Sequence, residues 1–172
     1  MARCDRRLFV AAVVALYTMD TCATATHTPQ RRLDAVLEAP VPITYMSYSQ
    51  IVDRMRALAS LAPNFVRMWN AQDTYGLQSP GQCGTDTNGH AVACKHWFLT
   101  LSNFAANATV LTTRPHVFLS GNLHGDEEVG PMTLIYVLEY LIRTRLTGAN
   151  AWVNRLVDER YTIAIPMTNP IG

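Results

Sequence analysis

Three segments of the chain repeat their apolar residues with the period of a helix. In residues 47–63 the apolar positions fall on one face, Ser47 and Gln50 have the spacing of a capping box, and a proline closes the segment. In residues 129–148 the apolar positions recur at threes and fours, with a proline in the first turn and a glycine after the last. A third helix can begin at the asparagine that opens residues 150–160.

Four other segments have the pattern of β-strands. The stretches "NFVRMWNA" and "KHWFLTLSN" flank a turn-rich region, "HVFLSGN" is a short apolar run without alternation, and "YTIAIPM" follows the third helix. An apolar run without alternation predicts a buried strand of a parallel sheet. The order of strand, helix, helix and strand, with no hairpin between them, predicts an α/β fold: a mixed, partly parallel sheet with helices on both faces.

The N-terminus has the pattern of a secretory signal. Basic residues precede the apolar run 8–19, and small residues follow it. Because this run is shorter than the about 20 residues of a membrane-spanning helix, residues 1–25 are predicted to be a signal peptide of a secreted protein with no stable membrane anchor. A buried apolar helix after a misplaced gene start is the alternative. Residues 26–42, rich in proline, are predicted to be an extended arm or short pro-segment, and residues 43–172 the folded domain.

Composition and charge narrow the class of protein further. Of the 172 residues, 49% are hydrophobic and 16% are charged, which describes one globular domain rather than a disordered chain. The formal net charge is +1 and the basic residues form no stripe. Nucleic acid is therefore not an expected partner.

One pair of cysteines remains after the predicted signal peptide. Cys83 and Cys94 lie on either side of Asn88-Gly89, a dipeptide that suits a type I′ hairpin turn. Their symmetric spacing from that turn would make them direct cross-strand neighbours, at a distance that a disulfide can span. We therefore predict a Cys83–Cys94 disulfide, with two free buried thiols as the alternative. Asn107 begins an Asn-Ala-Thr sequon and is a predicted glycosylation site, consistent with export.

A histidine and three acidic residues follow the predicted buried strand. His124 and Glu127 are three residues apart across a glycine, close enough for a nitrogen and a carboxylate oxygen to bind one zinc ion. Ligands bind at the carboxyl ends of the strands in α/β sheets, which is where this pair falls. In the alternative interpretation, Asp126, Glu127 and Glu128 complement the positive end of a helix dipole and His124 is an ordinary loop residue. The spacing alone does not decide between the two.

This loop and a second motif downstream resemble the zinc metallocarboxypeptidase family, the peptidases of the carboxypeptidase A and B type. The resemblance is strongest in "RPHVFLSGNLHGDEEVGPMTLIYVLEYLI" and "YTIAIPMTNPIG", and extends back to about Tyr45. In that family a buried strand ends in a His-x-x-Glu loop that binds zinc, and a later strand ends in Pro-x-x-Asn-Pro-Asp-Gly. The matching residues are His124 and Glu127 as zinc ligands, and Pro166, Asn169, Pro170 and Gly172 in the second motif.

The chain also departs from the family pattern. Ile171 stands where the family usually has aspartate, and Asp126 stands where many members, though not all branches, have arginine. In the family, the third zinc ligand, the general-base glutamate and the residues that bind the substrate's terminal carboxylate all lie beyond the second motif. The resemblance therefore implies that residues 43–172 are the N-terminal portion of a peptidase domain, with no catalytic residue within this chain. His96 is left open as a third ligand, whereas His116 is expected at the opposite end of its strand.

Three functions are compatible with these residues. The resemblance implies a secreted zinc carboxypeptidase that, in complete form, removes C-terminal amino acids from peptide or protein substrates. One alternative is an amidohydrolase of the related deacylase branch, which has a similar His-x-x-Glu motif and acts on acylated amino acids. The other is a secreted product that binds peptides without catalysis. The predicted export, the disulfide and the Asn-Pro turn favour the peptidase.

Overall fold

The computed structural model describes residues 44–86 and 88–171, in which five helices and six strands form. The predicted signal peptide and arm, and the last residue of the second motif, lie outside these residues. None of the helices in the described part of the chain is long and apolar enough to cross a membrane. In chain order, the elements are α1 (Tyr48–Leu61), β1 (Val66–Asn70), α2 (Ala71–Tyr75), β2 (Gln82–Thr85), β3 (Ala91–Ala93), β4 (Trp97–Leu101), α3 (Ala108–Thr113), β5 (His116–Ser120), α4 (Val129–Thr147), α5 (Ala151–Glu159) and β6 (Tyr161–Ile165).

Four of the strands form one mixed sheet in the order β1-β4-β6-β5. Strand β4 pairs with β1 and β6 in antiparallel fashion, whereas β5 and β6 are parallel, with His116 opposite Tyr161 and Ser120 opposite Ile165. The crossover between these two parallel strands contains α4 and α5. The predicted mixed, partly parallel sheet with helices is confirmed.

The core lies between one face of this sheet and the three long helices. Buried residues from α1, α4 and α5 meet buried residues of β1, β4 and β6; those with no exposed surface include Met55, Ile135, Leu138 and Ala164. Leu99 and Ala164 are paired neighbours on β4 and β6, and both belong to this cluster. The described residues thus build the helical layer over one sheet face, and helices over the opposite face stay a prediction.

The predicted ends of the long helices are confirmed by their capping contacts. At the start of α1, Gln50 N donates to Ser47 Oγ at 3.4 Å and Ser47 N donates to Gln50 Oε1 at 2.8 Å, which completes the capping box. Helix α4 ends at Gly148, whose φ of +67° is the left-handed conformation that favours glycine. The Asn150 side chain accepts hydrogen bonds from the first backbone amides of α5.

The prediction of a buried strand at residues 116–122 is wrong in one respect. Strand β5 is parallel to its neighbour, as expected, but four of its five residues are exposed, and 63% of Phe118 is accessible. The reason is its position, because among the described residues β5 pairs only with β6 and is the outermost strand of the sheet. The short helices α2 and α3 were not predicted, since five or six residues are too few to show a helical period.

The hairpin of β2 and β3 also differs from its prediction. Gly89 has a φ of +82°, but its backbone amide donates to Asp86 O at 3.0 Å, so the turn spans residues 86–89 and is not centred on Asn88-Gly89. Instead, Asp86 Oδ1 accepts hydrogen bonds from the backbone amides of Asn88 and His90, at 2.8 and 2.9 Å. The strand register shifts between Gln82 and Thr85, so that Thr85 is opposite Ala91 but Gln82 is opposite Ala93.

The predicted disulfide between Cys83 and Cys94 is present in the structure, with a Cα–Cα distance of 5.0 Å. Its two cysteines are not the direct cross-strand neighbours that were expected, because Gln82 is opposite Ala93 and Cys94 N donates to Gly81 O. Both cysteines are buried. The bridge therefore joins offset positions of the hairpin, and the symmetric register predicted from the spacing is wrong.

Two arginines hold the carboxylate of Glu139 at the contact between α1 and α4. Arg54 donates to both of its oxygens, with Nη2–Oε1 at 2.7 Å, and Arg143 Nε donates to Oε1 at 2.7 Å. Burial by itself raises the pKa of Glu139, but the hydrogen bonds from the two arginines outweigh it and lower the pKa from its usual 4.5. Since the folded-state pKa is lowered, the stabilisation is present above about pH 4.5 and is lost as the pH falls through the folded-state pKa.

Glu139→Gln is expected to lower the free energy of unfolding at pH 7 by about 1–2 kcal/mol, because it removes a charge that two arginines bind. The difference in unfolding free energy between parent and variant should shrink as the pH falls below about 4.5. Urea denaturation at neutral and acidic pH measures both effects. Asp53→Asn removes the exposed Asp53–Arg56 pair and serves as the control, with an expected change below about 0.5 kcal/mol. Equal losses in the two variants would contradict the prediction.

Candidate metal site

The parallel strands β5 and β6 have their carboxyl ends side by side, and each strand continues into a loop. We call residues 121–128 after β5 the first loop, and residues 166–171 after β6 the second loop. They contain the two motifs that the sequence identified, which lie far apart along the chain. The parallel pairing of Ser120 with Ile165 brings the start of the two loops together.

Backbone hydrogen bonds join the two loops beyond the ends of the strands. Gly121 N donates to Ile165 O and Gly121 O accepts from Thr168 N, both at 3.0 Å. One residue later, Asn169 N donates to Asn122 O at 3.0 Å. A Cβ atom on Gly121 would lie 2.7 Å from Pro166 O and 3.0 Å from the backbone of α4. The contact therefore requires glycine at this position, because the approaching atoms are backbone.

His124 and Glu127 lie side by side on the first loop. Their Nδ1 and Oε1 atoms are 3.0 Å apart, and 70% and 57% of the two side chains are exposed. Between them, Gly125 has a φ of +87°, which lets the loop turn back on itself. The hydrogen bond that His124 donates to the Glu127 carboxylate, and then the charge of that carboxylate, raise the pKa of His124 above its usual 6.5. The predicted pair is thus brought together and is open to solvent.

The acidic residues before α4 make no capping contact with it, and their interaction with the helix dipole stays a prediction. Glu128 occupies the position before α4, and its side chain makes no capping hydrogen bond. The carboxylate of Glu127 is hydrogen-bonded to His124 instead of to a backbone amide. Asp126 and Glu128 are exposed, and they can contribute to the field at the helix start only through space.

The other described histidines lie in different surroundings. His96 Nδ1 is 2.8 Å from Gln72 Nε2, and His96 N donates to Gln72 Oε1, so this imidazole is bound to a buried amide. His116, the first residue of β5, packs against Tyr161. His90 pairs with Asp86 in the hairpin turn at 3.3 Å. Within residues 44–86 and 88–171, no group of three or more histidine, cysteine or acidic residues is arranged to hold a metal ion.

The donor atoms of His124 and Glu127 fit part of a zinc site. Imidazole nitrogen and carboxylate oxygen both bind zinc, at about 2.0–2.2 Å, and two such atoms on a tetrahedral ion are about 3.3–3.5 Å apart. The observed 3.0 Å is within a few tenths of an ångström of that spacing. The two residues therefore fit as two ligands, and further ligands have to come from outside this pair.

The sequence did not indicate that the disulfide hairpin supports the second loop. A Cβ atom on Gly81 would lie 2.9 Å from Ile171 Cγ2, and Cys83 Sγ lies 3.1 Å from Pro170 O. Ile171, which replaces the usual aspartate of the family motif, thus packs against the backbone of the hairpin. No sequence signal could have shown this contact, because the hairpin and the loop are distant along the chain.

The predicted glycosylation site is on the surface, away from these loops. Asn107 is exposed at the start of α3, and its Oδ1 accepts a hydrogen bond from Val110 N at 2.9 Å. A glycan is attached through the side-chain nitrogen of asparagine, which this capping bond does not use. Glycosylation of Asn107 stays a prediction.

Comparison with known proteins relates this arrangement to one family. The sequence profile of the zinc carboxypeptidases matches residues 51–172. Carboxypeptidase Z of Homo sapiens is 28% identical over 144 residues, which are 81% of this chain and 19% of that protein. Carboxypeptidase Z of Mus musculus is 40% identical over 58 residues, which are 34% of this chain and 9% of that protein.

A solved structure supports the same fold. The crystal structure of thrombin activatable fibrinolysis inhibitor superposes with a TM-score of 0.53 at 12% identity, covering 74% of this chain and 26% of that one. At that identity the likeness concerns the fold alone. The chain thus spans about a fifth of the length of the human relative and about a quarter of the solved protein.

Proposed function

Because the chain belongs to the zinc carboxypeptidase family, we propose that His124 and Glu127 bind a zinc ion as two of its protein ligands. We propose further that the complete protein hydrolyses C-terminal amino acids from peptides or proteins. The observation that carries the proposal is the 3.0 Å contact between His124 Nδ1 and Glu127 Oε1 at the joined ends of two parallel strands. Both side chains are exposed on a loop, and residues that bind ligands are concentrated on loops.

The residues of this chain would hold and orient the metal. When bound, zinc polarises a substrate carbonyl and lowers the pKa of a water molecule. His124 and Glu127 would give up the hydrogen bond between them to bind the metal, and the exposed position of both side chains leaves the site open to a substrate. The third ligand, the general base and the groups that bind the substrate carboxylate belong outside the described residues.

We also propose that the protein is exported. The buried Cys83–Cys94 bridge supports this, since disulfides form and persist in oxidising compartments. Secretion of the chain from cultured cells, with loss of residues 1–25 and a shift in mass on removal of N-glycans, is the expected result. Retention of the intact N-terminus on a cytosolic protein would contradict it.

The zinc ligands are tested by titrating the chain with Zn²⁺ in an isothermal calorimeter. Binding is expected to be weak, because only two ligands are supplied, and His124→Ala or Glu127→Gln should weaken it by about tenfold or more. His90→Ala is the matched control, because His90 also lies next to a carboxylate on an exposed turn. The control should bind zinc like the parent. An equal loss in His90→Ala would show that binding is nonspecific.

The reaction is tested on the longest open reading frame that contains residues 1–172. The purified protein is given two peptides that differ only in a free or an amidated C-terminus, and an N-acylated amino acid. Zinc-dependent release of the last residue from the free peptide alone is expected. Hydrolysis of the acylated amino acid alone would favour the deacylase branch, and peptide binding without hydrolysis would favour a non-catalytic product.

A further inference from the structure

Asn122 has an unusual backbone conformation two residues before His124. Its φ is +55°, in the left-handed region that residues other than glycine rarely adopt. Asparagine tolerates this left-handed region better than most residues, but it is still less favourable than glycine there. Its side chain is therefore expected to make contacts that glycine at this position could not make.

The side chain and the backbone of Asn122 both bind the same residue of the second loop. Asn122 Nδ2 donates to Asn169 O at 3.1 Å, and Asn122 O accepts from Asn169 N at 3.0 Å. A Cβ atom on Gly130 would lie 3.1 Å from Asn122 N, so the first turn of α4 also packs against this residue. Asn122 thus connects the first loop to the second loop and to the helix that follows it.

The side chain of Asn122 also has a feature that lowers stability, which its contacts have to offset. Asn122 Oδ1 is buried and has no hydrogen-bond partner within the described residues. A strained conformation together with an unsatisfied acceptor is unfavourable for stability, and such features concentrate at functional sites. Here they occur directly before the candidate zinc ligands.

We propose that Asn122 is a positioning residue of the zinc site. By binding Asn169 at two points it sets the direction in which the chain leaves β5, and so keeps His124 and Glu127 next to each other. This inference rests on the proposed zinc site, and adds to it a residue whose side chain is hydrogen-bonded to the second loop. Asn122 acts through the loop backbone and not on the metal itself.

Two substitutions test separately the hydrogen-bond donor of Asn122 and its side chain as a whole. Asn122→Asp keeps the size of the side chain but removes the donor to Asn169 O, and Asn122→Gly keeps the positive φ without the side chain. Asn154→Asp is the matched control, because Asn154 also has a buried oxygen without a partner and an Nδ2 that donates to a backbone carbonyl, that of Gly148. Asn154 lies on α5, outside both loops.

The full chain and its variants are titrated with Zn²⁺ by calorimetry and with Co²⁺ by visible absorption, and their unfolding in urea is measured without metal. Both Asn122 variants should bind Zn²⁺ about 10–100-fold more weakly and change the Co²⁺ spectrum, while Asn154→Asp binds like the parent. Asn122→Gly should also unfold at a urea concentration close to that of the parent.

Each outcome has a distinct meaning. If the parent binds Zn²⁺ through His124 and both Asn122 variants bind within about threefold of it, the positioning role is overturned while the proposed zinc site stands. If Asn154→Asp weakens binding as much as Asn122→Asp, or if both Asn122 variants fail to fold, the role is general stability instead of positioning. If the parent binds no Zn²⁺, the proposed site is overturned and this inference with it.

Discussion

Replacing Cys83 and Cys94 together with serine is expected to lower the free energy of unfolding by about 2–5 kcal/mol, as is typical when a native disulfide is removed from a small domain. The two cysteines are 11 positions apart and both are buried, so the variant both frees the hairpin in the unfolded state and places two hydroxyls among buried atoms. Urea denaturation followed by tryptophan fluorescence measures the change.

A reducing agent provides the control for this variant. Reduction of the parent should produce most of the same destabilisation, whereas the double serine variant should not respond to it. Because Cys83 and Gly81 contact the second loop, the variant is also expected to bind Zn²⁺ more weakly than the parent. A change below about 0.5 kcal/mol, or equal sensitivity of parent and variant to the reductant, would show that the bridge does not stabilise the fold.

Gly121→Ala is expected to lower the free energy of unfolding by about 3 kcal/mol, at the upper end of the range for overpacked sites. The new methyl group would meet Pro166 O at 2.7 Å and the backbone of α4 at 3.0 Å, and backbone atoms cannot move aside as a side-chain tip can. The two loops would have to separate, so Zn²⁺ affinity should fall by at least about tenfold. Urea denaturation and calorimetric titration measure the two effects.

Gly130→Ala is the matched control for the Gly121 variant. Its methyl group would lie 3.1 Å from Asn122 N, and alanine favours the helical conformation by about 1 kcal/mol over glycine, which offsets part of the crowding. Its loss of stability should therefore be clearly smaller. A Gly121→Ala variant as stable as Gly130→Ala would mean that the loops can separate without cost.

The structure also shows which features of the fold could be predicted from local sequence. The capping box at Ser47, the glycine after α4 and the asparagine before α5 depend on residues within a few positions of one another. The helices they delimit were therefore predicted well. The symmetric hairpin failed for a similarly local reason, since Asp86 accepts hydrogen bonds from the turn amides and the turn spans residues 86–89.

The features of the candidate site also fall into those that depend on local sequence and those that depend on tertiary contacts. The sequence by itself determined which two residues are the candidate ligands, because His124 and Glu127 are three residues apart across a glycine. It also identified the second motif, but not what that motif contacts. Only the tertiary structure showed that Asn122 binds Asn169, that Gly121 has no room for a side chain, and that the disulfide hairpin packs against Ile171.

The exposure of β5 depends in turn on the sheet as a whole. An apolar run such as "HVFLSGN" has the same composition in the middle of a sheet and at its edge, and its neighbours decide how much of it is buried. Local spacing thus determined the long helices and the two candidate ligands, because capping and turn contacts act over a few residues. The packing of loops and strands was decided by the tertiary structure, because it depends on contacts between segments that are distant along the chain.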